Sequence, residues 1–378
     1  MKIAHIIDAL GWGGAQTLLL TFAETASRRG IEVLVIGLKP DRYKPDVPDR
    51  LRAHGAQVIE LSYRKIYDPR TIPALVALLK KERVDLVHTH LSHANILGSV
   101  AANIVGLPVV TTLHNTNTVQ RKSLGLRKKI EQYCLRNLTS RVIAVGENVA
   151  GVYRPLIKEG ALDVIPNAVG FGEKITASQK NAIRAELAGD ADRLLLLAVG
   201  RLLPQKGYHD MLTAFARLHE RFPKTFLAIV GVGELQNTLL EYTRSLGLSV
   251  HVRFLGERGD VPQLLAAADV FLNSSHWEGL SIAMLEAMMA GLPVVATSVG
   301  DAAILLSTGG GVLSEPKDPA PFALAMESAI IDPEKMRSMG RVAREYVERN
   351  YAADSWLDKL LTCYALSQKK SDWLEYQL

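Results

Sequence analysis

Hydrophobic residues come in short runs along this chain, and a segment with helical spacing follows most of them. Five runs lie in the first half, "KIAHIID", "EVLVIGL", "DLVHTH", "PVVTTLH" and "SRVIAVG", and five in the second, "RLLLLAVG", "TFLAIVG", "HVRFLG", "DVFLNS" and "LPVVATS". Short runs that are almost entirely apolar are typical of parallel strands covered by helices on both faces. The pattern predicts an α/β fold with two doubly wound, Rossmann-like sheets.

A turn-rich stretch separates the two sets of runs. In "DVIPNAVGFGEKITASQKNA", Pro166 and Gly170 interrupt the periodicity, and "TASQ" has the composition of a helix start. The stretch predicts a first domain of residues 1–170 and a second of residues 171–352. Apolar residues at helical spacing in "ADSWLDKLLTCYALSQ" predict one more helix within residues 353–378.

Length and composition are those of a globular protein with two domains. The chain has 378 residues, of which 48% are hydrophobic and 22% charged, with a net charge of +5 that favours anionic partners without naming one. Polar residues interrupt the N-terminal run too early for a signal peptide or a membrane span. The two cysteines, Cys134 and Cys363, form neither a disulfide framework nor a metal-binding spacing. We expect a cytoplasmic protein, with peripheral contact at the inner face of the cell membrane left open.

Glycines follow the first predicted strand in "DALGWGGAQTLLLTF", where Gly13 and Gly14 lead into a helix. Glycines allow close backbone approach, and a helix N-terminus attracts anions. The NAD fingerprint would require a further glycine where Gln16 stands and an acid near Leu38, at the end of the second strand. The cluster therefore indicates a phosphate site of another kind, or a tight turn without a ligand.

Two cations lie in the loop after the strand "LLLLAVG". Arg201 and Lys206 of "GRLLPQKG" have the charge and reach of a diphosphate clamp, although they could also be ordinary surface cations. Gly231 and Gly233 form the next strand-to-helix turn, where a flat base could lie on exposed backbone. Neither turn has the sequence of an ATPase P-loop.

Two glutamates occur in the apolar segment "HWEGLSIAMLEAMMAG". The segment predicts a turn and then a helix that begins near Leu280 and extends for about ten residues. We place Glu278 in the turn and Glu286 two turns into the helix, where sugar hydroxyls could bond its carboxylate. Backbone N–H groups around Leu280 and Ser281 would face phosphate oxygens. The alternatives are a helix-dipole acid for Glu278 and an ordinary ion pair for Glu286.

Histidines are concentrated at strand ends in the first half, as His88, His90, His93 and His114. Alternate spacing places His88 and His90 on one face of a strand, which is also a spacing that a metal site can have. A polar pocket wall explains the same residues without a carboxylate or cysteine ligand, and we expect no metal. His114 directly follows an apolar strand and is the best placed to reach a ligand.

The segment "VQRKSLGLRKKIEQYCLRN" predicts a basic amphipathic helix, residues 121–138 in its main part. A stripe along it consists of Leu126, Ile130, Tyr133, Cys134 and Leu138. Such a helix could lie on anionic lipid. We favour the alternative, a surface helix docked on its own sheet through this stripe.

Together, "GWGGAQ", "GRLLPQKG" and "EGLSIAMLE" resemble the retaining glycosyltransferases of the family 4, or group 1, type. The resemblance covers the whole chain and implies a GT-B fold, in which two Rossmann-like domains face a central cleft and the C-terminal helix crosses back to the first domain. It further implies transfer of a hexose from a nucleoside diphosphate sugar, with retention of configuration and with neither a metal nor another cofactor. We favour a UDP-sugar over a GDP-sugar, and an acceptor that is a glycan, lipid-linked or a small molecule.

The resemblance also implies roles for individual residues. By position, Glu286 is similar to the residue that holds the ribose, and Arg201 and Lys206 to the diphosphate clamp. The remaining assignments are Glu278 and His114 at the transferred sugar, as the catalytic pair; Gly14, Leu280 and Ser281 at the phosphates; Gly231, Gly233 and Leu255 at the base; and Gly13, Gln16 and His90 on the acceptor side.

The chain departs from the family pattern at two places. Gln16 stands where the family often has glutamate, which affects the acceptor side. Asp301, followed by alanines, stands where a Pro-Glu pair is common, which affects one donor contact.

Three other functions remain as alternatives at this point. A nucleotide-sugar epimerase or hydrolase would release an epimer or free sugar without an acceptor. A catalytically silent partner subunit would bind the donor without turnover. Nucleic-acid binding is disfavoured because the basic residues lack interleaved aromatic residues.

Overall fold

The structure, a computed structural model, describes residues 1–41, 46–61, 68–114, 125–170, 175–190 and 192–369. Residues 171–174, in the predicted linker, and residues 370–378, at the end of the predicted last helix, lie outside this description. The chain forms two compact units. The first unit comprises residues 1–168 together with the segment from residue 353 onward, and the second unit comprises residues 169–352.

A single parallel sheet runs through the first unit. Its strands, in the order β3-β2-β1-β4-β5-β6-β7, are β1 Lys2–Ile7, β2 Glu32–Gly37, β3 Gln57–Glu60, β4 Leu86–His90, β5 Val109–Leu113, β6 Arg141–Ala144 and β7 Leu162–Val164. Its helices are α1 Gly14–Ser27, α2 Val47–Ala53, α3 Thr71–Lys81, α4 Ser92–Val105, α5 Leu126–Asn137, α6 Glu147–Tyr153 and, after the second unit, α15 Ala353–Lys369.

The second unit repeats this plan with six strands. They are ordered β10-β9-β8-β11-β12-β13 and comprise β8 Leu194–Val199, β9 Thr225–Val230, β10 Val252–Phe254, β11 Val270–Asn273, β12 Val294–Thr297 and β13 Gly311–Ser314. The helices are α7 Ala177–Ala188, α8 Tyr208–Arg221, α9 Gln236–Ser245, α10 Val261–Ala267, α11 Ile282–Met289, α12 Ala302–Leu305, α13 Pro319–Ile330 and α14 Pro333–Asn350. The predicted fold class is confirmed: both units are parallel, doubly wound α/β sheets.

Burial of apolar side chains between helices and sheet holds each unit together. In the second unit, Leu196 of β8 packs in one fully buried cluster with Phe215 of α8 and Phe322 of α13. In the first unit, Leu34 of β2 and Leu97 of α4 belong to a similar cluster. Burial of one such side chain stabilises a fold by roughly 1.5–3 kcal/mol, which explains why the apolar runs of the sequence become the central strands.

Helix α15 is part of the first unit because its apolar face packs on α1. Trp356 lies edge-on to Phe22 of α1, with 6.1 Å between ring centroids. Tyr364 is fully buried, and its hydroxyl lies 2.7 Å from Nδ1 of His88 in β4. These contacts fix the end of the described chain against the sheet of the first unit.

The prediction for the basic helix was wrong about its buried face. In α5 the side chains of Leu126, Ile130 and Tyr133 are exposed, whereas Cys134 is buried. The inward face instead carries Lys128, Glu131, Cys134 and Leu135. Residues 121–124 of the predicted helix lie outside the described part of the chain. The stripe therefore does not dock on the protein's own sheet.

Candidate active site

The sheet of the second unit has a switch point between β8 and β11. Strand order reverses there, so the connections that leave these two adjacent strands diverge and open a crevice at the carboxyl edge of the sheet. Ligands of open α/β sheets bind in such crevices. The loop after β8 contains Arg201 and Lys206, and the turn after β11 contains Glu278. The sheet order thus brings residues that are more than 70 positions apart in sequence to one place.

A network of polar contacts joins these two loops. Lys206 forms an ion pair with Oε2 of Glu278, and the Gln205 side-chain amide donates to Oε1 of Glu278 at 3.2 Å. The Ser275 hydroxyl donates to the same carboxylate at 3.2 Å. In the backbone, the His276 N–H donates to the Gln205 carbonyl at 2.7 Å. Both partners of the ion pair are largely shielded from solvent, so the Lys206 ammonium group is held in a defined position.

Arg201 differs from Lys206 in its surroundings. Its side chain is exposed at the start of the loop, and it forms no ion pair within the described residues. Arg201 is therefore a cation available to an anionic ligand. The loop ends at Gly207, where a φ of +62° and a Cβ position 2.2 Å from the Ser274 carbonyl oxygen leave room for glycine alone.

Helix α11 begins with a capped turn beside Glu278. Ser281 is its N-cap residue, and the Ser281 hydroxyl accepts a bond from the Met284 N–H at 3.4 Å. Leu280 and Ser281 are themselves buried. A helix leaves its first N–H groups without intrahelical partners, so those of Ile282 and Ala283 are the donors that this terminus can offer.

Glu286 lies one turn into α11, rather than the predicted two, because the helix begins at Ile282 and not near Leu280. Its neighbours on the helix, Leu285 and Ala287, are completely buried. Burial of the Glu286 carboxyl group disfavours its charged form and raises its pKa to about 7. A ligand that donates hydrogen bonds would favour the ionised form.

Close backbone contacts explain why Gly231 and Gly233 are glycines in the turn between β9 and α9. A Cβ on Gly231, which has a φ of +134°, would lie 2.1 Å from the Gly200 carbonyl oxygen, and one on Gly233 would lie 2.3 Å from that of Leu202. Leu255 follows β10 and donates its N–H to the Ile229 carbonyl at 2.8 Å. The two glycines therefore lie directly against the loop that contains Arg201. The assignment of Gly231, Gly233 and Leu255 to the base stays a prediction.

In the first unit the corresponding edge lies between β1 and β4, which is again the switch point. Gly13 precedes α1 without any side-chain cap, and the exposed Gly14 is the first helical residue. Gln16 turns back to donate its amide to the Ala9 carbonyl at 2.8 Å. A Cβ on Gly13 would meet the Gln16 side chain at 2.8 Å, so these residues form one tight turn. The first N–H groups of the helix that follows it have no intrahelical partners.

Three histidines form a chain from the core of the first unit to its carboxyl edge. Nδ1 of His5 lies 3.0 Å from Nε2 of His90, and Nδ1 of His90 lies 3.2 Å from Nε2 of His114. Desolvation lowers the pKa of His5 to about 3 and that of His114 to about 4, and it lowers the pKa of His90 as well. The three rings are therefore neutral at pH 7, and two of their three ring protons form the two links of the chain.

His5, His88 and His90 also form the one group in the described residues whose ligand atoms are close enough for a metal ion, all within 4.8 Å of one another. His88 already bonds Tyr364 and the Thr112 hydroxyl, each at 2.7 Å. A metal would have to replace several of these hydrogen bonds in a fully buried place. The expectation that no metal binds stays a prediction.

Family models decide the identity of the chain. A model of the group 1 glycosyl transferases matches residues 179–346, and a model of glycosyltransferase family 4 matches residues 12–170. The chain belongs to the group 1, or family 4, glycosyltransferases.

Relatives of this glycosyltransferase agree with the match. A UDP-Gal:α-D-GlcNAc-diphosphoundecaprenol α-1,3-galactosyltransferase of Escherichia coli is 29% identical, and the match covers 96% of each chain. A lipopolysaccharide core glycosyltransferase, LpsE of Rhizobium meliloti, is 25% identical over 97% of this chain and 99% of its own. The crystal structure of Anabaena HepE with UDP and glucose superposes with a TM-score of 0.84 at 23% identity, over 97% and 99% of the two chains. This last similarity shows the shared GT-B fold.

Sequence reasoning about this glycosyltransferase missed two participants. Gln205 stands inside the quoted motif "GRLLPQKG" but was not assigned, although its amide holds Glu278. His5 is one of the polar residues that interrupt the N-terminal apolar run and was not assigned either, although it forms the buried end of the histidine chain. Each is a polar residue in a segment that is otherwise largely apolar or rich in glycine, which is a signal that the sequence contains. The partner of Gln205 is 73 residues away and that of His5 is 85 residues away, so the contacts themselves cannot be read from the sequence.

Proposed function

We propose that this glycosyltransferase moves a hexose from a UDP-sugar to an acceptor hydroxyl with retention of anomeric configuration and without a metal ion. The observation that carries the proposal is the cluster at the switch point of the second unit. There, the loop with Arg201 and Lys206, the turn with Glu278 and the N-terminus of the helix that carries Glu286 meet at the edge of the sheet where α/β proteins bind ligands.

The charge of the departing diphosphate is the main demand on such a site. Arg201 supplies a planar fork of donors and Lys206 a point charge, and the first N–H groups of α11 add a fixed dipole. Donors that are fixed before the reaction stabilise developing charge without reorganisation. The Glu278 carboxylate holds Lys206 in place beforehand, and the Gln205 amide and Ser275 hydroxyl hold Glu278.

We assign the ribose hydroxyls to Glu286 and the transferred sugar to Glu278 and His114. In the proposed reaction the bond between the sugar C1 and the phosphate oxygen breaks, and the acceptor oxygen bonds C1 on the same face. The acceptor proton passes to the departing phosphate oxygen, so the balance requires no side-chain base. Gly14 is assigned to the phosphates, and Gly13, Gln16 and His90 to the acceptor side.

The relatives support the choice of donor. The Escherichia coli relative is named for a UDP-galactose donor, and the HepE crystals contain UDP and glucose. The name of the Escherichia coli relative includes a diphosphoundecaprenol-linked acceptor, and that of LpsE includes lipopolysaccharide core biosynthesis. We therefore propose a role in the synthesis of a cell-surface glycan or glycoconjugate, carried out in the cytoplasm. No helix in the described part of the chain has the length and apolar character to cross a membrane.

Proton NMR of donor turnover tests the proposal. UDP-α-glucose and UDP-α-galactose are each incubated with the enzyme in EDTA, and the slow transfer to water is followed. We expect the α-anomer of the free hexose to accumulate before mutarotation. In a parallel sample, Glu278→Gln should lose turnover while UDP still raises the melting temperature.

Each other outcome contradicts a defined part of the proposal. The β-anomer as first product would show inversion, and a UDP-sugar epimer would show an epimerase. Turnover that requires added Mg²⁺ would contradict metal independence. UDP binding without turnover of any donor, even with glycan or lipid-linked acceptors added, would show a silent binding subunit.

A further inference from the structure

Helix α5 presents an apolar face to solvent. The exposed fractions of Leu126, Ile130 and Tyr133 are 75%, 41% and 61%. The three residues are spaced four and three positions apart, so their side chains lie on one side of the helix. Large apolar side chains that are grouped on a surface mark a site of interaction more often than single ones do.

The same helix buries its polar residues instead. Glu131 is 3% exposed, and its carboxylate accepts bonds from the Ser92 hydroxyl at 2.7 Å and the Asn95 amide at 3.3 Å. Lys128 is 8% exposed, and its ammonium group has no hydrogen-bond partner within the described structure. A helix that hides a lysine and a glutamate while exposing leucine, isoleucine and tyrosine is the reverse of an ordinary surface helix.

Cations flank the exposed apolar face. Arg127, Lys129 and Arg136 are exposed, and none of them forms an ion pair among the residues that the structure describes. Glu131 is the single acid of the helix and is buried, so the outer face of α5 carries three positive charges and no negative one. Apolar side chains flanked by cations suit a binding partner that has negative charges at its surface and an apolar layer just beneath them.

We propose that the outer face of α5, defined by Leu126, Arg127, Lys129, Ile130, Tyr133 and Arg136, docks on an anionic lipid bilayer. The apolar side chains enter the boundary between headgroups and acyl chains, and the cations stay at the headgroup phosphates. A second copy of the chain is a poorer occupant, because a two-fold interface would bring the same cations against each other.

The position of α5 connects this face with the candidate site. Ser92 follows β4 by two residues, and its bond to Glu131 places the first half of α5 at the carboxyl edge of the first sheet. His90 and His114 lie at the same edge, at the ends of β4 and β5. Docking by α5 therefore turns the acceptor side, as proposed above, toward the bilayer, and an acceptor carried on a lipid follows as its substrate class. This last step rests on the proposed function, whereas the docking itself does not.

Co-sedimentation with vesicles tests the docking. The probes are vesicles of phosphatidylcholine with 30% phosphatidylglycerol, about the anionic fraction that gives a strongly negative surface, and vesicles of phosphatidylcholine alone. We expect binding to the anionic vesicles in 0.1 M salt, and its loss in 0.5 M salt because charge attraction is screened. The triple variant Arg127→Gln, Lys129→Gln, Arg136→Gln should lower the partition coefficient on the order of 100-fold.

Two further variants make the result specific. Leu126→Ser, Ile130→Ser, Tyr133→Ser should weaken binding in 0.1 M salt although it leaves the charge of the face unchanged, because it removes the apolar contacts. The control Lys335→Gln, Arg337→Gln, Arg341→Gln removes the same charge from exposed positions of α14 in the second unit and should bind like the wild type. Melting curves with and without UDP verify that each variant is folded. Equal losses in the control and test variants, no binding by the wild type, or a change of oligomeric state in the α5 variants would each overturn the proposal.

Discussion

Glu286 is the residue whose ionisation should control donor binding. Burial raises the pKa of its carboxyl group to about 7, because the charged form loses its hydration. Ribose hydroxyls donate to a carboxylate, so a bound donor stabilises the ionised form. Donor binding should therefore be coupled to loss of a proton from Glu286.

The consequence is a defined pH dependence of affinity. Between pH 8 and pH 6 the ionised fraction of a group with a pKa of about 7 falls by about tenfold, so we expect the dissociation constant of UDP-glucose to rise by up to about tenfold. Isothermal titration calorimetry measures this directly. UDP-glucose is preferable to UDP, since its phosphates do not titrate in this range.

Glu286→Gln supplies the control for that measurement. The variant should bind UDP-glucose more weakly at pH 8, because it lacks the carboxylate that accepts bonds from the ribose. It should also lose most of the pH dependence, because it lacks the group that titrates. A variant with the full wild-type slope would assign the titration to a different group.

The histidine chain makes a second prediction at this scale. Each link joins an Nδ1 to an Nε2, and each neutral ring has one proton, so His5, His90 and His114 must all be protonated on the same type of nitrogen. Nitrogen-15 NMR of histidine-labelled protein distinguishes the two tautomers. We expect one shared tautomer, and in His90→Phe an independent equilibrium at His114. Opposite tautomers in neighbouring rings would contradict the hydrogen-bonded chain.

At the scale of elements, the turn between β9 and α9 supports the loop that carries Arg201. A methyl group on Gly233 would lie 2.3 Å from the Leu202 carbonyl oxygen, so Gly233→Ala must displace the loop. We expect a loss of about 1–3 kcal/mol in the free energy of unfolding and weaker UDP binding. Thermal melts with and without UDP measure both effects.

Gly151→Ala is the matched control in helix α6. A Cβ there meets nothing within 4 Å, so the substitution should be neutral or should stabilise by about 0.5–1 kcal/mol. If the two alanine variants behaved alike, the close approach at Gly233 would have no energetic consequence.

The sequence predicted the central strands and one edge strand, β10, but missed the other three edge strands. All ten quoted runs correspond to strands, because a strand buried on both faces requires a continuous apolar run. Strands β3, β7 and β13 were missed, since edge strands are half-exposed and their sequences "QVIE", "LDV" and "GVLS" lack such a run. Pairing along one side is enough to hold them in the sheet.

Helix α5 shows a different limit of sequence reasoning. Its period was visible, but a hydrophobic stripe does not say whether it faces the protein or another surface. The side of α5 that faces the protein is the side with Glu131, whose buried carboxylate accepts hydrogen bonds from Ser92 and Asn95 of α4. That pairing spans 39 and 36 residues and cannot be read from the helix alone.

At the scale of the whole molecule, each of the two sheets carries its own set of predicted site residues. The first unit holds the histidine chain and the glycine turn, and the second holds the cations and both glutamates. The types of these residues and their loops could be predicted, because ligands bind at the carboxyl ends of parallel strands. The ion pair between Lys206 and Glu278 could not, since it depends on how two loops fold over one switch point.

The central claim is that fixed cations of the second unit bind the diphosphate without a metal. Calorimetric titration with UDP in EDTA tests it most directly, for the wild type, for Arg201→Ala with Lys206→Ala, and for Arg337→Ala with Arg341→Ala as a control that removes two exposed cations of α14. The account predicts that the wild type and the control bind alike and that the first double variant loses binding by at least about 100-fold. Undiminished binding by that variant, or binding by the wild type only after Mg²⁺ is added, would contradict it.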